Sequence, residues 1–151
     1  MITIEEFKKK QSVTSRLIGI DLGTKRIGIA ICDENQKIAT PFKTLKKNKL
    51  EDLIFDLKSI IQENDVKGII VGNPINMDGS FGKSSQSARD ISENISKNIN
   101  LPLCMWDERL STVGAFNLTS QIDVNVNKRE KKIDENAAAF ILQGAIDFLN
   151  N

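Results

Sequence analysis

The sequence Ile-Gly-Ile-Asp-Leu-Gly-Thr-Lys-Arg-Ile-Gly-Ile-Ala-Ile-Cys-Asp, at positions 18–33, contains two apolar runs joined by a short polar connection. The runs are Leu17–Leu22 and Ile27–Cys32, and β-branched isoleucine recurs in both. The residues between them, Gly-Thr-Lys-Arg, have the length and chemistry of a tight turn. We therefore predict an antiparallel hairpin in the middle of a β-sheet.

Asp21 is the residue of this hairpin that does not fit a purely apolar strand. A charged side chain in a buried strand is destabilising unless a cation or a hydrogen-bond donor receives it. Gly23 and Gly28 leave room nearby for a ligand or a phosphate. A carboxylate on a rigid strand beside glycines is a candidate metal ligand for phosphate chemistry. An aspartate that caps the turn at the end of a strand fits the position equally well.

The bulk composition indicates one globular domain in a reducing compartment. The chain has 151 residues, of which 40% are hydrophobic and 27% charged, and its net charge is +1. A nucleic-acid surface would therefore have to be a local basic patch. Cys32 and Cys104 both lie in apolar runs and are expected to be buried free thiols. We expect a cytoplasmic protein, because no apolar stretch reaches membrane-spanning length and the amino terminus lacks a signal-peptide core.

The absence of histidine narrows the possible chemistry. It excludes catalysis by Ser-His-Asp or Cys-His groups and by a histidine general base. An enzyme with this composition has to use carboxylates, lysines, serines or a metal ion.

The apolar periodicity along the chain predicts elements in the order β-β-β-α-β-α-β-α-α. Residues 1–15 are expected to be a flexible or loosely docked amino-terminal extension, and residues 16–151 a single α/β domain with a mixed five-stranded sheet and helices on its faces. After the hairpin the predicted elements are a strand at 37–45 bent by Pro41, a helix at 49–64, a strand at 67–72, a helix at 83–98, a strand at 101–106, a helix at 111–120, a basic loop at 121–133 and a helix at 134–149.

Three carboxylates stand at positions that this architecture could bring together. Asp21 lies on the first strand, Glu108 follows a buried strand at the end where open α/β sheets place ligands, and Asp134 opens the last helix. Such a group suits magnesium or manganese, which prefer oxygen ligands. Each has an ordinary alternative, since Asp134 could be a helix N-cap and Glu108 a solvated strand end. Asp107 competes with Glu108 for the inward position.

Basic residues that could contact phosphates lie near these carboxylates or in the predicted loop, and about half of them are expected to be ordinary solvated charges. They are Lys25, Arg26, Arg109, Lys128, Arg129, Lys131 and Lys132.

Four motifs together resemble the YqgF family, which is described as Holliday junction resolvases and as pre-16S ribosomal RNA nucleases of the ribonuclease H-like superfamily. They are Gly-Ile-Asp-Leu-Gly-Thr-Lys-Arg-Ile-Gly-Ile-Ala (19–30), Ile-Val-Gly-Asn-Pro-Ile-Asn-Met-Asp-Gly-Ser (70–80), Asp-Glu-Arg-Leu-Ser-Thr-Val (107–113) and Lys-Ile-Asp-Glu-Asn-Ala-Ala-Ala-Phe-Ile-Leu-Gln (132–143). The chain departs from the family pattern at Asn73, where leucine is usual, and at Gly114, where an acidic residue is common.

The resemblance implies a ribonuclease H-like fold with Asp21, Glu108 and Asp134 in the active site. The expected activity is metal-dependent hydrolysis of phosphodiester bonds, with Mg²⁺ or Mn²⁺ as cofactor and nucleic acid as partner. Processing of the 5′ end of pre-16S rRNA is favoured on family grounds. Resolution of Holliday junctions and a non-catalytic nucleic-acid-binding module are the alternatives, and the sequence leaves open whether the protein is a monomer or a homodimer.

Overall fold

The computed structural model describes the main chain of residues 1–11, 15–76, 78–110 and 126–151. The side chains of residues 110 and 126–135 are outside this description. The predicted helix at 111–120 and the first part of the predicted basic loop, 121–125, lie outside the described residues.

A mixed five-stranded sheet forms the centre of the protein, as predicted. Its strands are β1 (Arg16–Leu22), β2 (Arg26–Cys32), β3 (Ala39–Lys46), β4 (Val66–Asn73) and β5 (Leu103–Asp107). They lie in the order β3-β2-β1-β4-β5. The β1–β2 and β2–β3 pairs are antiparallel, whereas β1–β4 and β4–β5 are parallel. The predicted hairpin is therefore confirmed, and β1 is the central strand.

Helices cover both faces of this sheet. They are α1 (Ile4–Lys10), α2 (Leu50–Asn64), α3 (Lys83–Asn98), a short 3₁₀ helix (Glu108–Leu110) and α4 (Val126–Leu149). Leu57 of α2 and Ile95 of α3 are fully buried in one core cluster. Ile141 and Leu142 of α4 are fully buried in a second cluster. The sheet thus separates a layer containing α2 and α3 from a layer containing α1 and α4.

The α4 helix lies unusually close to the central strand. A Cβ atom added to Gly19 would be 2.7 Å from the Cβ of Leu142 and 3.0 Å from the carbonyl oxygen of Ala138. Just beyond the carboxyl end of α4, the Asn150 side chain donates a hydrogen bond to the carbonyl of Gln36. Gln36 follows the end of β2, which lies beside the beginning of β1. The helix therefore runs antiparallel to β1, with its amino-terminal half toward the carboxyl end of that strand.

Residues 1–11 of the amino-terminal segment are docked on the fold, where a flexible or loosely docked extension is predicted over 1–15. The side chain of Phe7 is completely buried, and the amide of Ile2 donates a hydrogen bond of 3.0 Å to the carbonyl of Leu103. The segment is docked because Phe7 joins the core cluster that contains Leu17 and Cys104. Residues 12–14 lie outside the described residues.

The last helix begins at Val126, eight residues before the predicted start, so the prediction of a loop at 126–133 is wrong. That stretch carries the strong helix formers lysine, arginine and glutamate, but it lacks the apolar spacing from which a helix is recognised. Within the part of the chain that the structure describes, no helix is both long and apolar enough to cross a membrane.

Candidate active site

Asp21 and Glu108 meet at the carboxyl end of the parallel strands. Asp21 is the penultimate residue of β1, and Glu108 is the first residue after β5. Ile20 pairs with Val71 of β4, so the next position on each strand places Asp21 beside Gly72. Side chains alternate along a strand, and Asp21 shares the face of Gly19, over which α4 packs.

Gly72 supplies the space that lets Glu108 approach Asp21. A Cβ atom at Gly72 would be 2.8 Å from the Cγ and 3.0 Å from the Cδ of Glu108. The Glu108 carboxyl group therefore lies over the β4 backbone, between β5, which it follows, and β1, which carries Asp21. A signal for this role of Gly72 is present in the sequence, because a glycine inside an apolar strand indicates the close approach of another group.

The two carboxyl groups are hydrogen-bonded to each other, which requires a shared proton. Burial raises the pKa of Glu108 to about 9, with further contributions from its hydrogen bond to Asp21 and from the negative charges of Asp21 and Asp107. Burial also raises the pKa of Asp21, and the hydrogen bond from Glu108 opposes that increase. We therefore take Glu108 as the donor and Asp21 as the acceptor of this bond at neutral pH, with the proton belonging to the pair.

Asp107 lies apart from this pair and is engaged by Arg109. The Arg109 Nη2 and Nε atoms are 2.7 and 2.9 Å from Asp107 Oδ2, and the Arg109 amide donates to Oδ1 at 3.0 Å. These hydrogen bonds lower the pKa of Asp107. Asp107 is paired in register with Asn73, whose side chain accepts a hydrogen bond from Ser85 of α3, so both belong to the α3 face. Of the two adjacent acids, Asp107 therefore faces away from Asp21 and pairs with Arg109.

The other basic residues predicted near the acids are partly described. Lys25 is exposed in the turn between β1 and β2, and Arg26 is half-buried at the start of β2. Arg109 is committed to Asp107, and its Nη1 atom is 3.7 Å from a Cβ position at Gly79 in the loop after β4. Lys46 of β3 is paired in register with Arg26 and was missed as a member of this basic group.

The third predicted acid lies in a segment whose side chains the structure does not describe. Asp134 is part of α4 and precedes Ala138 by four residues, about one helical turn. Among the described side chains, no group of three or more His, Cys, Asp and Glu residues could hold a metal ion. The predicted phosphate contacts in the same segment, Lys128, Arg129, Lys131 and Lys132, also have side chains outside the described residues.

The Asp21–Glu108 pair has the chemistry of a divalent-cation site. Two carboxylates so close together cannot both ionise in a buried place unless a positive charge compensates them. Hard oxygen ligands are those that magnesium, manganese and calcium prefer. A divalent ion would replace the shared proton and remove the repulsion, so the residues present fit such an ion.

Comparison with known proteins reveals close relatives along the whole chain. Residues 15–148 match the family described as RuvX, Holliday junction resolvase. A protein of Pelagibacter ubique (strain HTCC1062) named "Putative pre-16S rRNA nuclease" is 67% identical over 151 residues, which is 100% of both chains. A protein of Chelativorans sp. (strain BNC1) with the same name is 44% identical over 149 residues, covering 99% of this chain and 93% of that protein.

Solved structures share the fold at low sequence identity. RuvC of T. thermophilus in complex with a Holliday junction substrate has a TM-score of 0.54 and 10% identity, covering 87% of this chain and 93% of that chain. The Fowlpox virus resolvase in complex with Holliday junction DNA has a TM-score of 0.56 and 12% identity, covering 90% and 99%. The predicted ribonuclease H-like fold is thereby confirmed.

Proposed function

The chain belongs to the RuvX family of Holliday junction resolvases, and we propose that it hydrolyses phosphodiester bonds of precursor 16S rRNA at the site formed by Asp21 and Glu108. Membership confirms the resemblance drawn from the four motifs, and the protein is a nuclease. The choice of substrate, the metal ion and the roles of individual residues are the proposal.

The single observation that carries the proposal is the approach of two half-buried carboxyl groups, those of Asp21 and Glu108, over Gly72 at the carboxyl end of β1. A pair of this kind destabilises the fold when no cation is bound, so its presence needs a functional reason. In the part of the chain that is described, it coincides with the end of the sheet where α/β proteins bind ligands.

Asp21 and Glu108 would hold Mg²⁺ or Mn²⁺, with Asp134 as a third ligand from α4. When bound, such an ion lowers the pKa of a coordinated water and neutralises charge on the phosphate. Asp21 is fixed by the central strand and Glu108 by its seat over Gly72, so the protein contributes a rigid arrangement of oxygen ligands. Lys25, Arg26 and Arg109 would contact phosphates beside the acids, together with Lys128, Arg129, Lys131 and Lys132 of α4.

Precursor rRNA is the favoured substrate because curated relatives that this chain matches over nearly their full length carry that name. A nuclease of this kind would work in the cytoplasm. The family description supports a four-way DNA junction as the second candidate, and symmetric cutting of a junction would require a homodimer.

A cleavage assay with both substrates tests the proposal. The purified chain is incubated with a labelled RNA spanning the 5′ end of 16S rRNA and, separately, with a four-way DNA junction, in Mg²⁺, in Mn²⁺ and in EDTA. We expect cleavage of the RNA that depends on the divalent ion. The matched control is Asp56→Asn, which removes one carboxylate from α2, remote from the site. Cleavage of the junction alone would replace the proposed substrate, and cleavage in EDTA would refute the metal site.

A further inference from the structure

The edge of the sheet formed by β3 carries a run of lysines without acidic residues. Residues 37–49 read Lys-Ile-Ala-Thr-Pro-Phe-Lys-Thr-Leu-Lys-Lys-Asn-Lys and contain five lysines but no aspartate or glutamate. The chain has 21 lysine and arginine residues in all. The rest of the chain therefore has 16 basic residues and all 20 acidic ones. We call these five residues, Lys37, Lys43, Lys46, Lys47 and Lys49, the β3 lysine track.

The β3 lysine track is open to solvent along its length. All five lysines are exposed, and β3 is one of the two edge strands of the sheet. Within the described residues, none of them forms an ion pair, since the ion pairs there involve Arg16, Lys67 and Arg109. Among the side chains that the structure describes, no acidic group therefore balances their positive charges.

The track begins beside the candidate active site. Asp21 is paired with Gly28 of β2, and Gly28 with Thr44 of β3. Neighbouring strands are about 4.8 Å apart, so Thr44 lies roughly 10 Å across the sheet from Asp21. Lys46 is two positions further and is paired with Arg26, so it projects from the face that carries Asp21. The amide of Lys47 also donates a hydrogen bond of 3.1 Å to the carbonyl of Lys25.

The track then follows β3 away from the acids. The eight residues of β3 span roughly 26 Å, the rise of about seven or eight nucleotides along one strand of a duplex. Lys43 is paired with Ile29 and projects from the opposite face, so the rim is basic on both sides. Phe42 lies at the bulge between Pro41 and Lys43 and is 44% exposed.

We propose that the β3 lysine track binds the phosphate backbone of the substrate on one side of the cleavage site. This inference rests on the proposed nuclease function, because the track is placed by its continuity with the acids. Lysine binds phosphate as a point charge without reading sequence, so the track would supply affinity and orientation. Lysines and a proline on an edge strand also discourage pairing between sheets of different molecules, and this second explanation predicts no change in RNA binding when the lysines are replaced.

The test measures binding of a labelled duplex RNA with a single-stranded tail by the full chain, in EDTA so that the probe stays intact. The variant is Lys43→Gln, Lys46→Gln, Lys47→Gln and Lys49→Gln combined. The control combines Lys9→Gln, Lys10→Gln, Lys58→Gln and Lys97→Gln, which removes the same charge from exposed positions on helices. Each phosphate contact contributes roughly 0.7–0.9 to the slope of log affinity against log salt. We expect the slope to fall by about 2 or more in the track variant and to stay unchanged in the control.

If the salt slope falls equally in both variants, or falls in neither, the proposal that the β3 lysine track binds the substrate is overturned. Polyglutamate serves as a second probe, and tighter binding of polyglutamate than of RNA through the track would assign it to an acidic protein and also overturn the proposal. The proposed function fails independently. If the chain cleaves neither substrate but its salt slope depends on the β3 lysine track, the proposed track is retained and the proposed nuclease function is refuted. If cleavage is normal and the salt slope is the same in the track variant, the nuclease function is retained and the proposed track is refuted.

Discussion

Gly72 lies directly beneath the side chain of Glu108: a Cβ atom on Gly72 would be 2.8 Å from the Glu108 Cγ. The same Cβ would be 2.6 Å from the Cδ1 of Ile141, which is the end of a flexible side chain and can move. Glu108 is anchored by the end of β5, so it is the group whose displacement matters for the site.

Gly72→Ala should therefore lower the cleavage rate of the folded protein strongly while it lowers the free energy of unfolding only moderately. Crowding of a packed site destabilises by about 1–3 kcal/mol, whereas a displacement of about 1 Å in a catalytic group can lower the rate roughly a hundredfold. The cleavage rate is measured at steady state, well below the melting temperature. The loss of stability is measured by thermal unfolding.

Gly68→Ala is the matched control, because Gly68 lies in the same strand and its added Cβ meets the side chains of Phe7 and Leu17, which do not belong to the site. It should destabilise the protein while the folded fraction retains its activity. If Gly68→Ala and Gly72→Ala lose activity in the same proportion to stability, Gly72 has no special role in placing Glu108.

Asp21→Asn should abolish cleavage and leave the fold intact or slightly more stable. An amide is a poor ligand for a divalent cation in place of a carboxylate, but it retains a hydrogen bond with Glu108 and removes a negative charge from a buried site. The measurements are the cleavage rate in Mg²⁺ and the melting temperature in EDTA. Near-normal turnover of this variant would refute the assignment of Asp21 to the metal site.

The shared proton predicts how stability depends on pH in the absence of metal. The folded-state pKa of Glu108 is raised from 4.5 to about 9. Between those values the folded state holds a proton that the unfolded state has released, so stability falls as pH rises through this window. Glu108→Gln cannot titrate, and its melting temperature in EDTA should fall less than that of the wild type between pH 5 and about 9.

The difference between the two melting curves reports the titration of the Asp21–Glu108 pair, because the remaining titrating groups are common to both proteins. A constant difference from pH 5 to about 9 would mean that Glu108 has an ordinary pKa. Saturating Mg²⁺ should reduce the pH dependence of the wild type, because a bound divalent ion replaces the proton.

The sequence contains enough to find Asp21 and Glu108 but not their immediate surroundings. A carboxylate in an apolar strand and another just after a strand can be recognised locally, and the parallel part of the sheet brings their ends together. The position of Glu108 over Gly72 depends on the pairing of β4 with β5, which are distant in the chain. The docking of α1 similarly depends on the burial of Phe7 by residues of other elements. The first turns of α4, at 126–133, cannot be predicted from apolar periodicity because they are polar. The lysine content of 37–49, in contrast, is visible in the sequence itself.

Glu108, not Asp107, should be the catalytic member of the adjacent pair. Asp107 belongs to the α3 face of the sheet and is held by Arg109, whereas Glu108 shares a proton with Asp21. Glu108→Gln keeps the shape and the hydrogen bond but removes the charge available to a metal ion, so it should lower the rate by orders of magnitude. Asp107→Asn breaks an ion pair that is partly exposed and should lower stability by about 1 kcal/mol or less, with a much smaller effect on cleavage. Parallel assays of both variants in the same Mg²⁺ concentration decide the matter, since an inactive Asp107→Asn beside an active Glu108→Gln would reverse the assignment.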